Sequence, residues 1–226
     1  MKIVIVADGD VDVTALRRAA AAGGDERGPI VLAADGGALK AEAAGLPVDL
    51  VLGDGDSLDE AAQGRLRERG TRVRLVAPEK DLSDMELCLR EALALGATSV
   101  RIHGALGGTR PEHSLANLAL LALPELAGLD VSVEHGASVI RLFGSAEGPG
   151  AIELSGEIED FVSLLPLSPG AQGVTTQGLR YPLDDEDLTY GPSRGLSNEF
   201  LQARARVTVR RGRLLVTQSQ RRGSIT

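Results

Sequence analysis

The strongest constraint on the fold is a series of five short apolar segments that alternate with helix-like segments over the first two thirds of the chain. The apolar segments are predicted strands at residues 2–7, 30–34, 49–52, 72–77 and 99–103. Segments with helical spacing follow them, at residues 13–22, 38–44, 59–69, 83–95 and 113–121. Strand and helix in regular succession predict a parallel sheet with crossover helices. The nearly continuous apolar character of these strands is typical of a sheet covered on both faces.

The pattern changes at a glycine- and proline-rich segment, residues 144–150, which reads as a linker. Beyond it the helical period disappears, and short apolar runs at 161–165, 174–176, 206–210 and 213–217 are separated by turn residues. Arg211-Gly212 is predicted as a hairpin turn between the last two runs. The sequence therefore predicts a Rossmann-like parallel sheet with flanking helices over residues 1–143, followed by a small antiparallel β-sandwich over residues 144–226.

Composition excludes several classes of function. With 43% hydrophobic and 25% charged residues, the chain of 226 residues can bury a real core. Its net charge of −8 is unfavourable for binding nucleic acid or an anionic membrane, so neither is expected as a partner. The single cysteine, Cys88, excludes a disulfide framework and a cysteine-rich zinc site. Five aromatic residues are too few for a base-stacking surface.

The two ends of the chain carry further expectations. The apolar start gives way to Asp8 after a few residues, which is too short for a signal peptide, so a cytoplasmic location is expected. From Leu201 onward there are seven arginines and no acid. Given the acidic balance of the whole chain, we interpret this stretch as a charged edge strand and a solvated tail rather than a nucleic-acid-binding arm.

Acidic or glycine-rich loops follow all five predicted strands. They are Asp8-Gly9-Asp10, Asp35-Gly36-Gly37, Gly53-Asp54-Gly55-Asp56-Ser57, Lys80-Asp81-Leu82-Ser83-Asp84 and Gly104-Ala105-Leu106-Gly107-Gly108. One Asp-Gly pair is typical of a turn. Because the carboxyl ends of parallel strands meet at one edge of the sheet, where ligands bind in such folds, five such loops favour a functional site.

These loops suggest a magnesium ion with a polyphosphate. Asp54 and Asp56 flank a single glycine, so both carboxylates can turn toward one cation. Mg²⁺ prefers oxygen ligands and is commonly completed by substrate phosphates and water. Glycines remove side chains where phosphates would approach the backbone, at Gly36, Gly37, Gly107 and Gly108. Without a metal, the clustered acids would repel one another and raise their pKa values.

Structural interpretations compete with this site. Asp81 and Asp84 lie at a predicted helix start, where Asp81 could be the N-cap, and Ser83 with Glu86 fits a capping box. His113 is equally compatible with a helix start and with a site. Met85 and Cys88 read as core residues of the same helix.

A second enzyme class is also suggested by the first strand. The segment from Ile3 to Val11 resembles the nucleophile strand of haloacid-dehalogenase-like phosphatases, with Asp8 and Asp10 as the acidic pair. In that family a lysine precedes the last acidic loop, whereas here Lys80 follows the loop at 53–56. A magnesium-dependent phosphatase is therefore kept as an alternative.

Taken in order, the loops resemble those of the thiamine pyrophosphokinase family. That family's pattern reads Ala-Asp-Gly-Gly-Ala, Gly-Asp-Phe-Asp-Ser, Asp-x-Thr-Asp and Gly-Gly-Arg-x-Asp-His. This chain carries the corresponding segments at 34–38, 53–57, 81–84 and 107–113, followed by Leu115-Ala116-Asn117-Leu118. Segments 178–183 and 195–199 of the second domain are also similar. Gly55 replaces the family's Phe, and the arginine motif has one extra residue and Glu112 in place of Asp.

The resemblance implies a diphosphoryl transfer from ATP to thiamine that gives thiamine diphosphate and AMP. It implies an ATP- and magnesium-binding catalytic domain at 1–143 and a thiamine-binding domain at 144–226. It also implies a homodimer in which the site forms between the sheet domain of one subunit and the β domain of the other. A thiamine- or nucleotide-binding regulatory protein without transfer activity is the alternative that the altered arginine motif suggests.

The resemblance assigns roles residue by residue. Asp54, Asp56 and Asp84 would hold Mg²⁺ and phosphates, and either Asp84 or Glu112 would orient or deprotonate the thiamine hydroxyl. A tyrosine, aliphatic walls or Phe200 would pack on the thiamine rings. The candidate residues are, for catalysis, Asp54, Asp56, Asp84, Arg110 and Glu112; for ATP and phosphate, Asp35, Gly36, Gly37, Asp81, Gly107, Gly108 and His113; and for thiamine, Ser197 and Asn198.

Overall fold

A computed structural model describes residues 1–22, 28–77, 79 and 81–221. Lys80 of the fourth acidic loop and the last arginine of the basic stretch, Arg222, lie outside the described residues. The chain divides into two compact units, Met1–Gly136 and Ala137–Thr226. Among the described helices, none is long and apolar enough to cross a membrane.

Unit 1 is a parallel sheet with crossover helices, as predicted. In chain order its elements are β1 (Lys2–Val6), α1 (Val13–Ala21), β2 (Ile30–Ala34), α2 (Gly37–Ala43), β3 (Leu50–Gly53), α3 (Glu60–Glu68), β4 (Arg72–Leu75), α4 (Asp84–Ala94), β5 (Ser99–His103), α5 (Pro111–Leu120), a 3₁₀ turn (Pro124–Leu126) and β6 (Asp130–His135). The five predicted strands and five predicted helices are confirmed, with small shifts at their ends. β6 was not predicted, because Asp130, Ser132 and Glu134 interrupt its apolar pattern.

The strand order in unit 1 is β4-β3-β2-β1-β5-β6, and every neighbouring pair is parallel. Alternate residues of the strands face opposite sides. Val4, Val31 and Val51 pack with the apolar residues of α1, α2 and α3 in one core cluster, while α4 contacts β1, β2 and β3. β1 lies between β2 and β5. Strands β2, β3 and β4 are added on one side of β1, and the chain then crosses to add β5 and β6 on the other side. Open sheets of this kind bind ligands at such a switch point.

Unit 2 consists of antiparallel strands. They are β7 (Ser138–Ser145), β8 (Gly150–Ser155), β9 (Phe161–Gln177), β10 (Glu186–Thr189), β11 (Asn198–Glu199), β12 (Arg204–Val209) and β13 (Arg211–Ser219). β13 pairs with β7 and with most of β9, whereas β12 pairs with β8 and the end of β9. The 17-residue β9 is thus shared by two layers, and the apolar side chains between the layers form the core. The predicted antiparallel sandwich is confirmed.

Two local predictions for unit 2 are wrong. The segment 144–150 is no linker, because β7 ends at Ser145 and β8 begins at Gly150 within the same unit. Arg211-Gly212 is no hairpin turn, because β12 and β13 pair with different parts of β9. Gly212 lies inside β13 at φ +107°, next to a register shift in the pairing with β9. Spacing alone cannot distinguish such a bulge from a turn.

Three arginines of the arginine-rich end contact acids of unit 2. Arg206 contacts Glu153 at 2.9 Å, Arg210 contacts Asp185 at 2.8 Å, and Arg221 contacts Glu199 at 3.5 Å. Strand β12 itself lies between β8 and β9, so its arginines are on a paired strand and not on an edge. The prediction of a charged edge strand is therefore wrong, because β12 and β13 each pair with a strand on both sides.

The close packing of α2 against β1 gives a stability prediction. A Cβ added to Gly37 would lie 2.1 Å from the carbonyl oxygen of Val6, whereas a Cβ added to Gly64 in α3 would meet nothing within 4 Å. Gly37→Ala should lower the free energy of unfolding by about 1–3 kcal/mol through overpacking. Gly64→Ala should raise it by about 0.5–1 kcal/mol through helix propensity. Urea denaturation of both variants measures these changes. An equal change in the free energy of unfolding for Gly37→Ala and Gly64→Ala would contradict the packing argument.

Candidate active site

The candidate site is a cleft of about 420 Å³ at the carboxyl ends of the strands of unit 1. Its walls come from the loops after β1, β2, β3 and β5 and from the starts of α4 and α5. The lining residues are Ala7, Asp8, Gly9, Ala34, Asp35, Gly36, Asp54, Asp56, Ser57, Leu82, Ser83, Asp84, Met85, Gly104, Ala105, Gly107, Gly108, Thr109, Arg110, His113 and Asn117. Five of these are aspartates, so the cleft is strongly acidic.

Three aspartates converge in this cleft. Asp35 follows β2, Asp54 follows β3, and Asp84 is the first residue of α4; one carboxylate oxygen from each lies within 4.8 Å of the others. Asp56 lines the same cleft, and its carboxylate accepts a hydrogen bond from Oγ of Ser57 at 3.0 Å. The sequence grouped Asp54, Asp56 and Asp84 around the metal, whereas in the structure Asp35 joins Asp54 and Asp84 in the closest set.

Asp35 is the most constrained member of this cluster. It is buried and has a positive φ of 41°, a region that aspartate tolerates better than most residues. Its Oδ2 accepts a hydrogen bond from the N–H of Ser57 at 2.9 Å. Its Oδ1 is buried and has no hydrogen-bond partner among the described residues. Burial raises the pKa of Asp35, and Asp56 and Asp84 raise it further, while the bonds from Ser57 act in the opposite direction.

This arrangement fits a divalent cation. A buried carboxylate oxygen without a partner costs free energy, and two further carboxylates beside it add repulsion. A cation between the three would satisfy the oxygen and remove the repulsion. All the converging ligands are oxygens, which suits a hard ion such as Mg²⁺ rather than a thiol- or imidazole-binding metal.

At the start of α4, different residues cap the helix and line the cleft. Ser83 is the N-cap, and its Oγ accepts a hydrogen bond from the N–H of Glu86 at 3.2 Å. The suggestion that Asp81 caps this helix is therefore wrong. Because Ser83 supplies the cap, Asp84 can extend its carboxylate toward Asp35 and Asp54. Asp81 is exposed and does not line the cleft.

The predicted phosphate-binding glycines occupy different positions. Gly36, Gly107 and Gly108 line the cleft. A Cβ on Gly36 would lie 2.8 Å from Cγ of Asp8, and one on Gly107 would lie 2.2 Å from a carboxylate oxygen of Asp10. Gly37 does not line the cleft, because its α-hydrogens face the backbone of β1.

Arg110 and Glu112 form an ion pair at the start of α5. Nε of Arg110 donates to Oε1 of Glu112 at 2.8 Å, and both side chains are exposed. This hydrogen bond lowers the pKa of Glu112. Arg110 and His113 line the cleft, whereas Glu112 does not. Glu112 therefore contacts the arginine and not the cleft itself.

The predicted thiamine residues lie in unit 2. Asn198 is buried, and its side chain bonds the backbone of Tyr181 twice: Oδ1 accepts from the N–H at 2.9 Å and Nδ2 donates to the carbonyl at 2.7 Å. Ser197 is exposed, at φ +56°. Phe200 is completely buried in the core of unit 2, so the suggestion that its ring packs on a ligand is wrong for this structure.

Several residues of the cleft were missed or assigned elsewhere. Ser57 was not predicted as a site residue, although it lines the cleft and its N–H donates a hydrogen bond to Asp35. Met85 was predicted as core and is buried, yet it also borders the cleft. Asp8 belongs to the first of the five acidic loops but was given a role only in the phosphatase alternative; it lines the cleft, and its Oδ1 lies 4.0 Å from Nζ of Lys40. Asp10 does not line the cleft, so the two acids of the phosphatase alternative, Asp8 and Asp10, do not face the same cleft.

Fold and site together define a class: a protein with a parallel α/β unit and a β-sandwich unit, whose acidic, glycine-lined cleft suits a divalent cation and phosphates. The model for "Thiamin pyrophosphokinase, catalytic domain" matches residues 26–132, and the model for "Thiamin pyrophosphokinase, vitamin B1 binding domain" matches residues 151–214. The chain belongs to the thiamin pyrophosphokinase family, a family of diphosphokinase enzymes.

Individual relatives agree with this assignment. A thiamine pyrophosphokinase of Bacillus subtilis (strain 168) is 27% identical over 175 residues, which are 77% of this chain and 79% of the relative. The crystal structure of a thiamine pyrophosphokinase from Bacillus subtilis superposes with a TM-score of 0.83 at 26% identity, covering 98% of this chain and all of that one. The yeast thiamin pyrophosphokinase, at 12% identity, has the same fold with a TM-score of 0.78 over 97% of this chain and 86% of that one.

The strained environment of Asp35 gives a second prediction. Because its pKa is raised, the folded protein binds more protons than the unfolded chain above the ordinary aspartate pKa, and ionised Asp35 lowers stability as the pH rises through its folded value. In EDTA at pH 7, Asp35→Asn should therefore raise the free energy of unfolding, by about 0.5–2 kcal/mol as is typical of stabilising substitutions. Adding Mg²⁺ should stabilise the wild type and not the variant.

Urea denaturation with and without Mg²⁺ measures both effects. Asp184→Asn, at an exposed acid of unit 2, is the matched control and should behave as the wild type in both conditions. If Mg²⁺ stabilised Asp35→Asn as much as the wild type, Asp35 would not belong to a cation site.

Proposed function

We propose that this protein transfers a diphosphoryl group from ATP to the hydroxyethyl group of thiamine, giving thiamine diphosphate and AMP. The observation that carries the proposal is the convergence of Asp35, Asp54 and Asp84 within 4.8 Å in a glycine-lined cleft, in a chain of this family. The acidic cleft also suits thiamine, whose thiazolium ring is cationic.

We propose that Asp35, Asp54 and Asp84 hold Mg²⁺, with Asp56 beside them. When bound, the ion neutralises phosphate charge and so favours displacement at phosphorus. The protein's own part is positioning and charge neutralisation, which dominate catalysis of phosphoryl-type transfer. Gly36, Gly107 and Gly108 allow the polyphosphate to approach the backbone, and His113 stands at the same wall.

Arg110 would neutralise charge on the polyphosphate, and Glu112 would position it. Glu112 is a poor candidate for the general base, because its pKa is lowered by Arg110 and it lies outside the walls of the cleft. An aspartate of the cleft, with Asp84 as the first choice, is better placed to orient the attacking hydroxyl.

The thiamine-binding role of unit 2 remains part of the proposal. Asn198 would act through the loop that its side chain fastens to Tyr181, while the exposed Ser197 could contact the ligand directly. Tyr181 and Tyr190 are exposed and can offer a ring. A homodimer, with each site completed by the partner subunit's β domain, and a cytoplasmic location are predicted with this function.

The decisive experiment follows AMP and thiamine diphosphate when the purified protein is mixed with Mg²⁺, ATP and thiamine. Asp54→Asn should reduce turnover by about three orders of magnitude or more, because it removes a charge that acts on the transferring group. Its circular dichroism spectrum should be unchanged, and Asp184→Asn should retain full turnover. A near-normal rate for Asp54→Asn would remove this residue from the site.

The same assay separates the alternatives. Tight thiamine binding without turnover would indicate a binding or regulatory protein. Phosphate release that is abolished by Asp8→Asn and not by Asp54→Asn would indicate a phosphatase. AMP formed without thiamine diphosphate would contradict the proposed transfer.

The ion pair of Arg110 and Glu112 gives a separate test. If Glu112 only positions the arginine, Glu112→Gln should lower kcat by less than about tenfold, because an exposed ion pair contributes about 0–1 kcal/mol. Arg110→Ala should lower kcat further, because it removes the cation itself. If Glu112 were the base, Glu112→Gln would lose about 10²–10⁴-fold and abolish the acidic limb of the pH–rate profile.

A further inference from the structure

The loop between β5 and α5 has an unusual pattern of backbone hydrogen bonds. The carbonyl oxygens of five consecutive residues, 103–107, all accept hydrogen bonds from protein donors. Three donors are amides of the segment after β1: Ala7 to His103 at 2.8 Å, Gly9 to Gly104 at 2.9 Å and Asp10 to Leu106 at 2.8 Å. The carbonyls of this loop are therefore held from outside the loop.

The two remaining donors are side chains of α5. Nδ2 of Asn117 donates to the carbonyl of Ala105 at 2.8 Å, and Oγ of Ser114 reaches the carbonyl of Gly107 at 3.4 Å. A carbonyl oxygen can only accept, so the atom of Asn117 that contacts it must belong to the NH₂ group. Asn117 is half-buried and borders the cleft. Its bond is the shorter of the two that tie α5 to the loop.

Fixing a carbonyl fixes the amide that follows it. The peptide group is planar, and its C=O and N–H point in opposite directions. The bonds to the carbonyls of 105–107 therefore set the directions of the N–H groups of Leu106, Gly107 and Gly108. Among the described residues, none accepts a hydrogen bond from the N–H of Gly107 or Gly108. Successive backbone amides in a turn can form a concavity that binds an anion, and Gly107 and Gly108 have positive φ angles, +83° and +78°.

We propose that Asn117 is a positioning residue for the polyphosphate: by holding the Ala105 carbonyl from α5, it keeps the amides of Leu106–Gly108 available to phosphate oxygens. This inference rests on the proposed function, because it assumes that the cleft receives the polyphosphate of ATP. Asn117 does not contact the reacting atoms in this scheme. Its loss should weaken the binding of the phosphates and leave the binding of thiamine unchanged.

Two substitutions test the proposal. Asn117→Asp keeps the shape of the side chain but replaces the donor with an oxygen that faces another oxygen, and Asn117→Ala removes the bond. Asn117→Asp should raise KM for ATP by about tenfold or more, because it places two oxygens in repulsive contact. Asn117→Ala should raise it by somewhat less, because it only removes the hydrogen bond. KM for thiamine should stay within about twofold. Leu115→Ala, at an exposed position of the same helix, should keep all constants of the wild type.

A binding measurement makes the test independent of turnover. Isothermal titration with inorganic tripolyphosphate in the presence of Mg²⁺ should show about tenfold weaker binding to Asn117→Asp than to the wild type. A merely structural role would lower Tm and the active fraction and leave the tripolyphosphate affinity of the folded variant unchanged, which would overturn the proposal. So would an unchanged KM for ATP in folded Asn117→Ala.

The outcomes also separate this inference from the proposed function. If the wild type forms no thiamine diphosphate but binds tripolyphosphate, and Asn117→Asp loses that binding, the function is wrong and the positioning role stands. If the wild type forms thiamine diphosphate and both variants bind tripolyphosphate normally, the positioning role is wrong and the function stands.

Discussion

Mutual repulsion among carboxylates is the constraint on which the rest of unit 1 depends. Asp35, Asp54 and Asp84 bring oxygens within 4.8 Å of one another, and one buried oxygen of Asp35 has no hydrogen-bond partner in the part of the chain that the structure describes. Such an arrangement lowers the stability of the protein alone and persists only when the surrounding backbone enforces it. The enforcing contacts are the Ser57 N–H on Asp35 and the Ser83 cap that starts α4 at Asp84. In the proposed function, the stability lost in the cleft would be compensated by affinity for a cation.

The glycines around the cleft serve this constraint in two ways. Some allow two elements to approach each other. Gly37 brings α2 against the backbone of β1, and a Cβ added to Gly9 would lie 2.5 Å from the carbonyl oxygen of Gly104. Others, such as Gly107 and Gly108, provide a backbone conformation with positive φ. The first group fixes where the strand ends meet, and the second shapes the surface that a ligand would contact. The sequence predicts Gly37 as a phosphate-binding residue together with Gly107 and Gly108, although the two kinds of glycine have different physical roles.

How far the sequence predicts the structure depends on whether the signal is local. The strands of unit 1 were predictable because buried parallel strands are apolar throughout. Because these strands share one direction, it was also predictable that the loops after them meet at one edge of the sheet. The residue that caps α4 was less predictable. Asp81 and Ser83 are both good N-cap residues, and only the observed hydrogen bond from the N–H of Glu86 to Ser83 distinguishes them. Phe200 could not be placed from the sequence, since an isolated aromatic has no periodicity to show whether it faces a core or a ligand. The partner strands of β12 and β13 depend on long-range pairing with β9, which spacing does not encode.

The departure of this chain from its family's acidic motif has a structural explanation at Gly55. The residue adopts φ +80°, a conformation in which a side chain is strained, and its missing Cβ would lie 3.1 Å from Leu75 at the end of β4. The family pattern has Phe at this position, whereas here the neighbouring apolar group is supplied by Leu75, which is 43% exposed. An apolar side chain therefore still stands next to the Asp54–Asp56 loop, but it comes from the adjacent strand. In this chain the acidic motif therefore retains Asp54 and Asp56 on either side of a glycine with positive φ, and the apolar neighbour of that glycine is a side chain of β4.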